Sequence, residues 1–127
     1  MRHRSKAAAF GVHRADGDPL KQVPSAVIGI NEVAPLSMAV AFAGIANNGL
    51  SCSPIAIDKI LDRDGTELPI PKSTCTQAVS PEVAAGMHYG LRRVMTSGTG
   101  QQSNQGGMSP WAPAIGKTGT TDGAKDT

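Results

Sequence analysis

Residues 31–49 read NEVAPLSMAVAFAGIANNG, and the fold predicted from the sequence is organised around the helix that this segment indicates. Pro35 suits the first turn of a helix, where a backbone N–H would have no intrahelical partner. The almost wholly apolar run after it predicts a helix that is buried on most of its faces. Asn47, Asn48 and Gly49 follow, and Asn or Gly readily adopts the left-handed conformation that ends many helices.

Helical patterns also occur on both sides of this stretch. Residues 4–10 favour a helix that a glycine then stops. Ser80, Pro81 and Glu82 supply an N-cap, a first-turn proline and an acid near the positive end of a helix. An apolar stripe at helical spacing follows and predicts an amphipathic helix that packs into the core. Its members are Val83, Met87, Leu91, Val94 and Met95.

A β-hairpin is predicted between these helices. Two short apolar segments, residues 55–61 and 67–70, flank the turn sequence DRDG at residues 62–65. The final glycine can take the left-handed conformation that closes such a turn. Pro69 and Pro71 lack a backbone donor, which places the second strand at a sheet edge.

Cys52 and Cys75 lie symmetrically about the centre of this turn, so antiparallel strands would bring them opposite each other. In an oxidising cell exterior this arrangement predicts a disulfide across the base of the hairpin. The alternative is a pair of reduced thiols, as in a reducing cytosol. Both remain open, because the prolines of the hairpin disturb the strand register.

Composition excludes several classes of function. The chain of 127 residues has room for one domain at most, and its net charge of +2 comes from scattered basic and acidic residues. No basic cluster could hold a nucleic-acid backbone, so we expect no nucleic-acid partner. No stretch approaches the roughly 18 to 20 apolar residues that a membrane span needs, and we expect neither a span nor a signal peptide in this chain.

The histidines and cysteines do not form a metal-binding pattern. His3, His13 and His88 share no ligand spacing with one another or with the two cysteines. The sequence therefore predicts no metal and no cofactor.

Residues 116–121 read GKTGTT and follow a segment, residues 97–113, whose Gly, Gln, Ser, Asn and Pro content predicts a loop. A phosphate-binding loop would need glycine where Trp111 stands, so that interpretation fails. Lys-Thr-Gly is one of three motifs of serine acyl-transferases. The plain alternative is a surface turn with a solvated lysine.

The order of several segments resembles the transpeptidase domain of class A, bifunctional penicillin-binding proteins over nearly the whole chain. These segments are NEVAPLSMAVAFAGIANNG at 31–49, PIAI at 54–57, the DG turn at 64–65, VMTSGTG at 94–100 and GKTGTT at 116–121. The phrase FGVHRADG at 10–17 and the two cysteines most resemble the actinobacterial members.

The resemblance implies a mixed α/β domain of the α+β kind, the serine transpeptidase fold shared with β-lactamases. A largely antiparallel sheet packs between helices in that fold, with the Lys-Thr-Gly strand at the edge of the active-site cleft. We expect the chain, residues 1–127, to be a part of this domain with helices, the hairpin and the Lys-Thr-Gly strand. An uncovered apolar surface on the helix after Pro35 would then be expected.

The resemblance also assigns roles. Lys117 would place positive charge at the terminal carboxylate of a stem peptide ending in D-Ala-D-Ala, or of a β-lactam, and would help to position protons. Thr118 and Thr120 would offer hydroxyls to the same carboxylate, and Gly119 would let the substrate backbone approach. The backbone N–H of Thr120 would be one donor of the oxyanion hole. Lys117 and Thr120 are thus the catalytic candidates.

The residues that would attack the substrate are missing from the sequence. No serine is followed by Lys three positions later, and none by Asn two positions later. We therefore expect the Ser-x-x-Lys half and the glycosyltransferase domain to lie outside this chain, and the chain alone to be inactive. The resemblance implies a parent protein anchored in the cytoplasmic membrane with this domain on its outer face.

Two other interpretations remain. The chain could be a non-catalytic cell-envelope module that keeps the transpeptidase scaffold for binding partners. It could also be a piece of a longer coding region in which Met1 is internal. The codons upstream distinguish them.

Overall fold

A computed structural model of the chain describes residues 2–105 and 114–119, with side chains omitted for residues 2–4, 104 and 105. The elements in chain order are α1 (Arg2–Ala9), α2 (Pro35–Ala46), β1 (Leu50–Cys52), β2 (Ile60–Leu61), β3 (Glu67–Leu68), β4 (Cys75–Gln77), α3 (Pro81–Ser97) and α4 (Gln101–Gln105). A single 3-10 turn at Pro24–Val27 is described between α1 and α2. Helices and small antiparallel sheets give a mixed α+β fold, as the sequence predicted.

Helix α2 has the predicted bounds. Pro35 occupies its first turn, and the chain turns away through Asn48 and Gly49, which have φ angles of 52° and 80°. The predicted burial on most faces is wrong, because Leu36 remains 64% exposed and Met38 40% exposed. Among the described residues α2 packs mainly on β1 and α3, which leaves its remaining surface uncovered.

The hairpin has the predicted turn but shorter strands. β2 and β3 pair antiparallel for two residues each around a turn in which the Asp62 carboxylate accepts from the N–H groups of Asp64 and Thr66. The prolines account for the missing strand length, since a proline cannot donate to a ladder. Among the described residues the chain also pairs at β1 and β4, and at an isolated antiparallel bridge between Arg14 and Val33.

Cys52 and Cys75 face each other in the β1–β4 ladder. They are direct partners in its register, and the structure joins their sulfur atoms in a disulfide bond. No free cysteine is left, because the sequence has only these two. The bond lies at the base of the hairpin, the location that the symmetric spacing indicated.

Helix α3 begins as predicted at the Ser80 cap, whose hydroxyl accepts from the Val83 N–H at 3.4 Å. A hydrogen bond from Ser80 lowers the pKa of the Glu82 carboxyl in the same turn. Val83 is 52% exposed, contrary to its predicted place in the stripe, and Ala84 takes the inward position of the first turn. Farther along, Met95 is buried.

The core is small and rich in alanine. Phe10, Ala41, Ile45 and Ala78 form its buried centre, and partly buried residues of α3 and the C-terminal segment pack against them. Gly44 of α2 lies close to the ring of Phe10, the residue after α1, because an added Cβ there would be 2.9 Å from that ring. The missing side chain thus lets α2 pack closely on one of the few large rings of the chain.

The predicted Lys-Thr-Gly strand is not observed in residues 114–119. This segment has no regular secondary structure, and its Gly116 N–H donates to the Leu91 carbonyl, which belongs to helix α3 and not to a neighbouring strand. Part of the predicted loop at 97–113 forms the short helix α4, and the rest, residues 106–113, lies outside the described residues. No described helix is long and apolar enough to cross a membrane.

We predict that Gly49→Ala strongly destabilises the protein. Gly49 has a φ of 80°, and a Cβ there would lie 2.5 Å from the Val79 carbonyl oxygen. Gly17 is a matched control, since it has the same φ with open space around it. Gly17→Ala should cost about 1–2 kcal/mol for the backbone conformation alone. Gly49→Ala should cost about 1–3 kcal/mol more because backbone must move.

The measurement is the free energy of unfolding from urea denaturation followed by circular dichroism. Equal losses for the two variants would contradict the close contact at Gly49.

We also predict that the oxidised protein contains no free thiol. Non-reducing mass spectrometry after alkylation should find Cys52 and Cys75 unmodified, and their detection as alkylated thiols would exclude the bond. Replacing both with serine should lower the free energy of unfolding by about 3 kcal/mol, since the link closes a loop spanning 23 positions. Reductant should destabilise the wild-type protein and leave the double variant unchanged.

Candidate functional site

The segment Lys117-Thr118-Gly119 lies at the C-terminal half of α3. It is anchored by the residues just before it: Ile115 packs against the core, and the Gly116 N–H donates to the Leu91 carbonyl at 3.4 Å. After this anchor the chain emerges, and all three motif residues are exposed. The segment is therefore held in place by the packing of Ile115 and the hydrogen bond of Gly116, and the three residues after them are open to solvent.

Met95 sets the distance between this segment and the end of α3. Its side chain is buried. Its sulfur lies against two glycines, Gly100 and Gly116, that are far from each other in the sequence. An added Cβ would be 2.8 Å from that sulfur at Gly100 and 2.7 Å from it at Gly116. Because neither glycine has a side chain, the turn after α3 and the motif segment can both close on one methionine.

The turn after α3 is itself well bonded. The Gly100 N–H donates to the Val94 carbonyl at 3.0 Å, and the Gln101 N–H donates to the Gly98 carbonyl at 3.2 Å. A Cβ at Gly98 would lie 2.8 Å from the Val94 backbone. Residues 98–101 therefore pack closely against the last turn of α3.

Three polar groups meet where this turn approaches the motif. The hydroxyl oxygens of Thr99 and Thr118 lie 2.8 Å apart. The Lys117 ammonium donates to the Thr118 carbonyl at 2.8 Å and lies 3.5 Å from the Thr118 hydroxyl. Structure thus brings together Lys117 and Thr118 of the predicted site and adds Thr99. Gly119 follows them as an exposed residue, and Thr120, the last predicted residue, lies outside the described residues.

Thr99 is the residue that sequence reasoning missed. It lies within the segment VMTSGTG, which supports the family resemblance, but no local pattern connects it with Thr118, 19 positions later. The available signal was the pair of glycines on either side of it, which indicates a tight turn rather than a free loop.

The charge of Lys117 is unneutralised within the part of the chain that the structure describes. The ion pairs found there join Arg14 to Asp16 and Asp18, and Lys59 to Glu67. A cation with a hydroxyl beside it is suited to an anionic ligand. At Gly119 an added Cβ would meet no atom of the described residues within 4 Å, which leaves room on that side for a ligand's backbone.

Two other features of the chain lie apart from this cluster. A cavity of about 430 Å³ between α1, α2 and the β1–β4 ladder is lined by His13, Leu36 and Val40 among others, and by no residue of the motif. Within residues 2–105 and 114–119, no group of His, Cys, Asp or Glu side chains could hold a metal ion. The cluster of Lys117, Thr99 and Thr118 is thus separate from this cavity.

Comparison with known proteins gives this cluster a context. The family model described as the penicillin-binding protein transpeptidase domain matches residues 15–127. That range includes α2, the hairpin, α3 and the motif segment.

Similar curated proteins carry related names. The chain is 36% identical over 89 residues to penicillin-binding protein 1A of Streptococcus oralis, covering 70% of the chain and 13% of that protein. It is 35% identical over 107 residues to penicillin-binding protein 1A of Neisseria gonorrhoeae, 80% of the chain and 13% of that protein. For penicillin-binding protein 1B of Vibrio cholerae the identity is 28% over 121 residues, 95% of the chain and 15% of that protein.

We predict that Met95 holds the motif segment against α3. Met95→Ala should leave a cavity and lower the free energy of unfolding by about 2–5 kcal/mol, whereas Met95→Leu should cost less than about 1.5 kcal/mol. Hydrogen exchange at the Gly100 and Gly116 amides should accelerate in the alanine variant. Met38→Ala is the control, because Met38 is 40% exposed. Unchanged exchange at both amides in Met95→Ala would refute this role.

Proposed function

Because the chain belongs to the family of penicillin-binding protein transpeptidase domains, we propose that it forms the carboxylate-binding wall of a serine D,D-transpeptidase. Such an enzyme cross-links peptidoglycan stem peptides through an acyl-enzyme and is acylated by β-lactams. The observation that carries the proposal is the exposed cluster of the Lys117 ammonium and the Thr118 hydroxyl within the matched range.

The cluster fits one end of the substrate. A stem peptide ending in D-Ala-D-Ala and a penicillin both carry a carboxylate close to the carbonyl that is attacked. The Lys117 ammonium and the hydroxyls of Thr118 and Thr120 would donate to this carboxylate. A charge-assisted hydrogen bond contributes about 1.5–3 kcal/mol once water is excluded.

The reacting carbonyl would lie farther along the same segment. The open space at Gly119 supports an extended substrate running beside the motif. The backbone N–H of Thr120 would then donate to the oxygen that becomes negatively charged in the tetrahedral intermediate. Loss of one such donor costs about 100- to 1,000-fold in rate in comparable enzymes.

The nucleophile has to come from another segment. None of the ten serines in the 127 residues begins a Ser-x-x-Lys motif, so the attacking hydroxyl and the lysine that activates it would be supplied by residues outside this range. The chain spans 13–15% of the length of the curated relatives described above. The rest of such a protein would supply the serine and its helix.

The wider setting follows from the same membership. We propose a class A, bifunctional parent protein of the actinobacterial type, anchored in the cytoplasmic membrane with this domain on the outer face. The Cys52–Cys75 bond supports that location, since disulfides persist in oxidising compartments. A non-catalytic envelope module on the same scaffold is the alternative function.

Labelled penicillin provides the test. The 127-residue chain should form no covalent adduct, because it lacks the serine motif. The protein translated from the same gene with its upstream codons should be acylated once, at the serine of a Ser-x-x-Lys motif. Lys117→Ala in that protein should slow acylation about 10- to 100-fold, the loss expected for one charge-assisted bond.

Lys72→Ala is the matched control, since Lys72 is an exposed lysine between β3 and β4, and it should leave the rate unchanged. A stoichiometric adduct on the 127-residue chain would refute the assignment of the nucleophile to another segment. Upstream sequence without the serine motif, together with no acylation, would favour the non-catalytic module.

A further inference from the structure

The Thr118 hydroxyl has two polar neighbours that differ in their hydrogen-bonding capacity. A threonine hydroxyl can donate one proton and accept two hydrogen bonds. The Lys117 ammonium at 3.5 Å is only a donor, so it occupies the accepting side of this oxygen. The Thr99 hydroxyl at 2.8 Å is the second neighbour and can either donate or accept.

An anion beside Thr118 determines which way the Thr99 bond points. A hydrogen bond to a carboxylate is stronger than one between neutral hydroxyls. Thr118 therefore gives its single proton to the anion, and Thr99 gives its own proton to the Thr118 oxygen. Both acceptor positions of Thr118 are then filled, and the chain of hydrogen bonds strengthens its last member.

The fold holds Thr99 in position for this bond. It lies between Gly98 and Gly100 in the tight turn that closes on the Val94 backbone and the Met95 sulfur. The same sulfur lies against Gly116, which begins the motif segment. The buried Met95 side chain thus supports both the turn that carries Thr99 and the segment that carries Thr118. This shared support keeps the two hydroxyls at a fixed separation.

We propose that Thr99 is a positioning residue that fixes the Thr118 hydroxyl as a hydrogen-bond donor toward the terminal carboxylate of the substrate. The proposal rests on the proposed function, since it deepens the role of the same site. Thr99 does not touch the substrate; it acts through Thr118. Its effect is therefore confined to ligands that carry the carboxylate.

The test uses the acylation-competent protein that contains the upstream serine. Two thioester substrates are compared, one with a free terminal carboxylate and one with the terminal amide. Thr99→Val keeps the side-chain shape and removes the hydroxyl. It should raise KM for the carboxylate substrate about 3- to 10-fold with kcat unchanged, since it removes one hydrogen bond made equally in ground and transition states. The amide substrate should show no change.

Two variants complete the comparison. Thr99→Ser, which restores a hydroxyl, should behave as wild type. Thr96→Val is the matched control: the Thr96 hydroxyl donates to the Arg92 carbonyl within α3, so its loss removes a hydroxyl from the same helix end without touching Thr118. In a Thr118→Val background, Thr99→Val should have no additional effect.

The outcomes separate the two proposals. Unchanged kinetics in Thr99→Val, or an equal loss for both substrates, would overturn the role of Thr99 and leave the proposed function intact. Failure of the wild-type protein to be acylated would overturn both. A rise in KM restricted to the carboxylate substrate and reversed by serine would support the positioning role.

Discussion

Contact of the Met95 sulfur with Gly100 and Gly116 is the constraint on which the candidate site depends. It joins a helix end to a segment that no described strand supports. Glycine lets both backbones come this close, and the flexible side chain of methionine suits the irregular space between them. The positions of Lys117, Thr118 and Thr99 follow from this packing, because their own side chains are exposed and contribute little to holding the backbone.

The site therefore combines a buried, apolar support with an exposed, polar surface. Ile115 and Gly116 attach the motif segment to the core and to α3, and the polar residues begin immediately after them. This arrangement suits a wall of a cleft. Ile115 and Gly116 fix the position of the Lys117 ammonium and the Thr118 hydroxyl. Because both groups are exposed, an anionic ligand can replace the water that contacts them.

Local patterns predicted the elements whose ends depend on nearby residues. Pro35 marks the start of α2, Gly49 lies in the turn that follows its end, and Ser80 marks the start of α3, because caps and positive φ angles are properties of single residues. The periodicity of α2 alone could not predict the exposure of Leu36, which was expected only from the partial domain that the family resemblance implies. The absence of a described strand at residues 116–119 could not be predicted, since it depends on which segments lie alongside. The Thr99–Thr118 contact escaped prediction for the same reason.

The segment between β1 and β4, which carries the β2–β3 hairpin at its tip, offers a position for modifying this protein. Its tip is joined to the body by unpaired residues on both sides, and the register at its root is fixed by β1, β4 and the bond between Cys52 and Cys75. Lengthening a surface loop adds only a slowly growing entropic cost. The exposed turn at Arg63–Asp64 is thus the natural place to graft a fluorophore tag or an epitope without altering the spacing at the motif.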